Sequence, residues 1–304
     1  MPPGDRRPLL VALLVTLIAA ILGLNLVVLK VAIAASGPIT VQAYSAVVAS
    51  AAFFAIARAS GASLRLDPGR WPAALAVGLC LTVGSSLGVA AGVERVDAGV
   101  AALLVSTAPL FALTLGVGLL RERYSWHGIL GVLVGFAGVA IVALSAGRSG
   151  DATETLGVVF MLLGSFGWAL GLILMRALAG GIPGSIFIAW QTLLGVPILL
   201  LAAVLTEGLQ ARWSLLFAAA IVYSGAMAKG TSFFLQLLVV RLGSATQASL
   251  TAFLMPVFGT IAGVVLLDER VEPAQVYGGM TILAGVALVL RVRTRHVPRA
   301  TPNP

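Results

Sequence analysis

The chain reads as long apolar runs separated by short polar clusters, without the strict alternation of a half-buried strand. Ten of these runs are long enough, at about 17–25 residues each, to cross a bilayer as helices. They cover roughly 9–29, 39–57, 72–93, 98–120, 127–146, 156–175, 184–205, 214–240, 245–267 and 272–290. A membrane barrel would instead alternate apolar and polar residues over short segments. The pattern therefore predicts an all-α, polytopic membrane protein of ten transmembrane helices.

The runs are written twice. Adding 147 to a residue number carries Val93 onto Val240, Leu103 onto Leu250, Pro109 onto Pro256 and Phe111 onto Phe258. The same offset carries Gly116 onto Gly263, Glu122-Arg123 onto Glu269-Arg270, Gly131 onto Gly278 and Gly138 onto Gly285. With the offset reduced by one, Asn25 falls on Gly171 and Lys30 on Arg176. Five spans are an odd number, so the second copy enters the membrane from the opposite side. The expected organisation is a cytoplasmic tail (1–8), a first five-helix repeat (9–146), a polar linker (147–155), a second, inverted five-helix repeat (156–290) and a basic cytoplasmic tail (291–304). Duplicated halves with a helix-breaking residue at matched depth point to a transporter whose binding site lies between the repeats.

Composition and charge agree with this picture. Only 10% of the residues are charged and 60% are hydrophobic, against about 25% charged in an average soluble domain. The net charge of +8 orients the chain rather than predicting a nucleic-acid partner. With both termini cytoplasmic, the inner loops and tails hold Arg6, Arg7, Arg58, Arg65, Arg70, Arg121, Arg123, Arg176, Arg241, Arg291, Arg293, Arg295 and Arg299. The outer side holds Lys30, Arg95, Arg148, Arg212 and Arg270. An excess of Lys and Arg in short cytoplasmic loops sets orientation. The first apolar run is longer than the core of a signal peptide and lacks a clear small-residue cleavage site, so it reads as a retained helix. Cys80 is the single cysteine and cannot form an intrachain disulfide.

Pro-Leu-Phe and Pro-Val-Phe in the fourth and ninth runs carry a family resemblance, together with the Arg-Glu-Arg and Asp-Glu-Arg that follow them. Glycine-rich fifth and tenth runs add to it, as do the basic residues Lys30 and Arg176 closing the first and sixth. In these features the chain resembles the EamA-type permeases of the drug/metabolite transporter superfamily, over both halves. The resemblance implies alternating-access export or exchange of small metabolites, often amino acids, across the bacterial inner membrane. It also implies a central cavity lined by spans one, three, four, six, eight and nine. Members often carry an arginine midway along the second span; here Gln42 and Tyr44 occupy that region, so no role of that arginine transfers.

Lys229 is the sharpest candidate for the chemistry. It lies too deep in the eighth run to reach either headgroup layer, and an unpartnered cation there costs at least about 2.5–3.5 kcal/mol. It reads either as a cavity cation for a substrate carboxylate or phosphate, or as a lysine satisfied by carbonyls freed near Gly230. Pro109 and Pro256 each free a carbonyl one turn earlier. The hydroxyls and amide nearby (Thr107, Gln247 and Thr251) either close that gap or join a ligand in it. Asn25, Trp168, Gln191, Tyr223 and Gln236 are polar or amphipathic positions inside spans, expected on the bundle interior and reading as substrate contacts or helix staples. Glu122 and Glu269 precede the fifth and tenth runs, where an acid suits the N-terminus of the next helix; the alternative is a gating role.

The glycines at 128, 131, 135 and 138, and at 157, 164, 167 and 171, lie on single helix faces and are expected to pack helices closely. All eleven acids fall in tails or at span ends, which favours facilitated diffusion or exchange over proton antiport. Neither histidine has the neighbours of a metal site or a catalytic pair, so no enzyme, metal or cofactor is expected. The expected partners are a small-molecule substrate and the lipid bilayer, with a homodimer left open. The favoured substrates are amino acids or related metabolites. Two alternatives are a carrier of organic anions or phosphorylated metabolites using Lys229, and a non-transporting membrane scaffold or sensor.

Overall fold

A computed structural model describes residues 7–120, 126–148, 152–242 and 245–291. Ten membrane-length helical spans occur among them, numbered one to ten: Arg7–Ala35, Pro38–Ala59, Pro68–Val93, Ala98–Leu119, Trp126–Leu144, Ala152–Leu178, Gly184–Glu207, Leu215–Leu242, Gln247–Leu267 and Pro273–Leu290. Consecutive spans run in opposite directions, which brings both ends of the chain to one side. Their outward faces carry residues such as Leu144, Leu205, Leu215 and Val265, all strongly exposed. In a bilayer these meet lipid, and the backbone polar groups are satisfied within the helices.

The two repeats interlock. Span five packs on span ten, span two on span seven, span one on span nine, and span three on span six. At the five–ten crossing a Cβ on Gly131 would lie 2.8 Å from the Gly285 carbonyl oxygen, and a Cβ on Gly278 would lie 3.0 Å from that of Gly138. The offset of 147 exchanges these two contacts, since Gly131 maps to Gly278 and Gly138 to Gly285. Gly131 also faces Leu288 and Val289, whereas Val142 faces Gly278, so the two equivalent helices are antiparallel. Spans two and seven behave the same way: Thr40 meets Glu207 at one end and the Phe54 ring meets Trp190 at the other. Equivalent helices that run antiparallel are related by a two-fold axis in the membrane plane, and the repeats are inverted. The second glycine stripe packs span six on span three, where Gly164 meets Val89 and Ser85 and Gly171 meets Leu81.

Two local departures from plain α-helix position the interior. Span three widens into a π-helix over Leu79–Gly84, and span eight over Tyr223–Thr231. The offset carries 79–84 onto 226–231, so the widened turns are quasi-equivalent and share a depth. Such turns replace i→i+4 bonds by i→i+5 bonds, and Thr231 Oγ1 also donates to Ala226 O, five residues back, at 3.0 Å.

The breaks in spans four and nine, by contrast, are not matched as the prolines are. Span four stops at Val105 and restarts at Ala108, just ahead of Pro109. Span nine breaks at Leu250, and Pro256 then lies inside the helix Thr251–Leu267. Leu250 corresponds to Leu103, so the second break comes about one turn earlier than the first. A threonine hydroxyl accompanies each break: Thr107 Oγ1 turns back to Leu104 O at 2.6 Å and Thr251 Oγ1 to Ala248 O at 2.8 Å.

Glycine 138 tests the crossing. A Cβ there would lie 2.6 Å from the Ile282 backbone nitrogen, so Gly138→Leu forces spans five and ten apart and costs about 1–3 kcal/mol. The expected result is a lower melting temperature in detergent, with Gly118→Ala, where a Cβ would meet nothing within 4 Å, as the neutral control.

Candidate functional site

Span six defines the interior. At about 100° per residue, Leu156, Val159 and Leu163 share one outward face, and all three are exposed. Gly164 and Gly171 face span three, while Ser165 donates to Leu104 O of span four at 2.9 Å. Trp168 falls between those two contacts, on the side opposite the lipid face, and yet it is 47% exposed. A large ring on an inward face with that much free surface looks into open space between spans three and four. By helical rise, Trp168 lies about 24 Å from the start of span six and 15 Å from its end, nearer the side of the chain termini.

The remaining sequence-predicted residues divide around this space. Lys229 stands in the widened turn of span eight and donates to Gln42 Oε1 at 3.0 Å and Ser45 Oγ at 3.3 Å, both on span two. Among the described residues it has no ion pair with a carboxylate. Its quasi-equivalent is Thr82 in the widened turn of span three, which donates to Gln191 Oε1 of span seven at 2.9 Å. Gln191 is buried and donates onward to Thr192 Oγ1 at 2.8 Å. The two joints match in position, and only one is charged. Asn25 Oδ1 accepts from Ser224 Oγ at 2.5 Å, and Tyr223 donates to Ile21 O at 3.0 Å, both tying span eight to span one. Gln236 is partly buried and makes no hydrogen bond to a described residue. Thr107 and Thr251 are buried against their own helix breaks, Pro256 is buried, and Pro109 and Gln247 are partly so.

At the far end, Glu269 departs from expectation. It does not cap span ten, the next helix. Asp268, in the left-handed conformation (φ 55), ends span nine and turns the chain back toward the first repeat. Both Glu269 oxygens then accept from Ala98 N, the first amide of span four, at 3.0 and 2.8 Å. Lys30 of span one donates to Oε1 at 2.5 Å. A second acid that sequence reasoning passed over acts likewise. Glu207, followed by Gly208 and Leu209 at positive φ, accepts from Ile39 N at 3.0 Å, Thr40 N at 2.8 Å and Thr40 Oγ1 at 2.7 Å. An acid of the second repeat thus holds the N-terminus of a first-repeat helix at two places. One signal was present in the sequence: span two starts at Gly37-Pro38 with no side-chain cap of its own. The partners Gln42, Ser45, Thr82, Ser165 and Ser224 also went unpredicted, because each is defined by a neighbour in the other repeat. Glu122, the predicted counterpart of Glu269, lies outside the described residues.

Asp97 sits beside this cluster, outside the spans, and accepts from Gln275 Nε2 at 3.5 Å. Burial raises its carboxyl pKa above the usual range, with nearby Glu269 and Glu272 adding to the rise and Lys30 and Gln275 opposing it. A carboxyl raised on folding contributes stability at low pH and loses it as pH climbs through the raised value. Asp97→Asn removes the ionised form, so it should melt higher than the parent at neutral pH, with the difference closing toward pH 4. Detergent melts across that range check the sign.

Comparison with known proteins then places the molecule. The EamA-like transporter family matches residues 9–144 and again 155–291. An uncharacterized transporter of Bacillus subtilis, YvbV, is 25% identical over 94% of this chain and 92% of its own length. A protein of Streptantibioticus cattleyicolor named as a probable terminal-alkyne amino-acid exporter is 27% identical over 66% of each chain. One crystal structure shares the fold with a TM-score of 0.64 at 21% identity, over 90% of this chain and 94% of its own.

Proposed function

Because this chain belongs to the EamA-like transporter family and is a multi-pass membrane transporter, we propose that it exports or exchanges amino acids or related small metabolites by alternating access. The excess of basic residues in one set of loops supports an orientation with both termini cytoplasmic, and we take the membrane to be the bacterial inner one. The observation that carries the reading is the exposed interior face at Trp168. It lies toward the cytoplasmic side, while Lys30, Glu269 and Ala98 tie the two repeats together at the opposite end. That is the arrangement of a carrier waiting for an internal substrate. Amino acids are favoured by the name of the Streptantibioticus relative. Glu269, with Glu122 as its cytoplasmic counterpart, is the proposed gating pair.

Transport itself is tested in liposomes loaded with a labelled amino-acid panel. A carrier releases the solute with saturable kinetics, and a scaffold leaves it trapped. Trp168→Ala should slow release about ten-fold or more, as truncating a contact aromatic does. Leu163→Ala on the lipid face should leave it unchanged, and both variants should keep the parent melting temperature. Equal loss in both would remove Trp168 from the path.

A second reading rests on Lys229, whose three-donor ammonium has two neutral acceptors, Gln42 and Ser45. That leaves capacity for an organic anion or a phosphorylated metabolite. Lys229→Gln separates the readings: transport of an anionic substrate is abolished, whereas transport of a zwitterion persists at a reduced rate.

A further inference from the structure

The end of the bundle opposite the termini carries an open groove of about 480 Å3, a size suited to a small metabolite. Val31, Ile33, Ala34 and Leu267 make its wall apolar, and Lys30 and Glu94, of opposite charge, line it as well. Lys30 is the ammonium paired with Glu269, and it keeps 21% of its side chain exposed against 10% for Glu269. The cation is therefore the more accessible member of the pair. Glu269 remains engaged without it, since both of its oxygens also accept from Ala98 N. Glu94 is exposed and, among the described residues, bonded only to the adjacent Arg95, at 2.9 Å, so it can accept from an incoming ammonium group. A cation held by an internal carboxylate, an exposed acid and an apolar wall between the span ends match the three parts of an apolar amino acid.

We propose that this groove is an outer substrate site that works by carboxylate exchange. The carboxylate of an amino acid takes Lys30 from Glu269, its ammonium meets Glu94, and its side chain covers Val31, Ile33, Ala34 and Leu267. The choice of ligand rests on the amino-acid reading above; the site itself is additional to the central path. Lys30 belongs to the first repeat and Glu269 to the second, so the exchange removes a tie between the repeats at this end. External substrate thereby lowers the barrier to outer opening, and exchange runs faster than net efflux.

Calorimetric titration of the full chain in detergent tests the site, in a Trp168→Ala background that weakens the central path. The probes are L-leucine, 4-methylpentanoate, which lacks the amine, and leucinamide, which lacks the carboxylate. L-leucine and 4-methylpentanoate should bind saturably, and leucinamide about ten-fold more weakly or worse, because a site built for a charged partner discriminates strongly against its loss. Lys30→Gln should weaken L-leucine about ten-fold, and Glu269→Gln, which removes the internal competitor, should tighten it. If Lys30→Gln does not fold, the contrast between leucine and its amide decides alone. Equal binding of those two, leucine binding unchanged by Lys30→Gln, or no saturable binding of either carboxylate overturns the proposal. Groove binding that persists where wild-type liposomes release no amino acid removes the export reading and supports the groove.

Discussion

Inside a hydrocarbon layer, apolar helices gain little from meeting one another, because lipid tails are as apolar as leucine. What joins the halves of this molecule must therefore be close backbone approach and hydrogen bonds. The crossing of spans five and ten shows the first: Gly131 and Gly138 of one helix lie against Gly285 and Gly278 of its inverted twin, with no room for a side chain. The rest of the architecture depends on this contact. It sets the two-fold relation of the repeats and lets the other pairs interlock around it. Glycines at such a crossing are conformationally costly in a helix, and the loss is offset by dispersion contacts between backbones.

Hydrogen bonds supply the second kind of tie, and they run between repeats. Lys229 reaches Gln42, Thr82 reaches Gln191, Ser224 reaches Asn25, Ser165 reaches Leu104, and Glu269 and Glu207 hold the N-termini of spans four and two. An acid at a helix N-terminus stabilises by about 0.3–1 kcal/mol, more when partly buried. Such contacts are discrete and breakable one at a time, unlike the continuous glycine crossing. That difference separates a continuous axis from discrete ties between the repeats, a division that suits the alternating access proposed above.

Duplication of the scaffold has not duplicated its chemistry. The widened turns of spans three and eight coincide under the repeat, yet one carries Thr82 and the other Lys229. The breaks in spans four and nine differ by about a turn although the prolines coincide. Two inverted halves that matched everywhere would hold their two end states at equal energy. In a carrier of the proposed kind, the unequal joints at Thr82 and Lys229 would bias one over the other.

Reading of the chain recovered the ten spans, the inverted repeat and the glycine faces, because a bilayer fixes span length and composition residue by residue, and close packing needs small residues at helical spacing. These are local demands, and they leave local marks. Glu207 left only an indirect one, an uncapped Gly37-Pro38 start about 170 residues away in the chain, and Glu269 pointed toward the wrong helix because its αL neighbour Asp268 turns it back. Gln42, Ser45 and Thr82 look like any polar residue in a span. Which groups meet was decided by the register in which the second repeat inserts into the first, and the free energy of each such contact belongs to two segments that no single stretch of sequence contains.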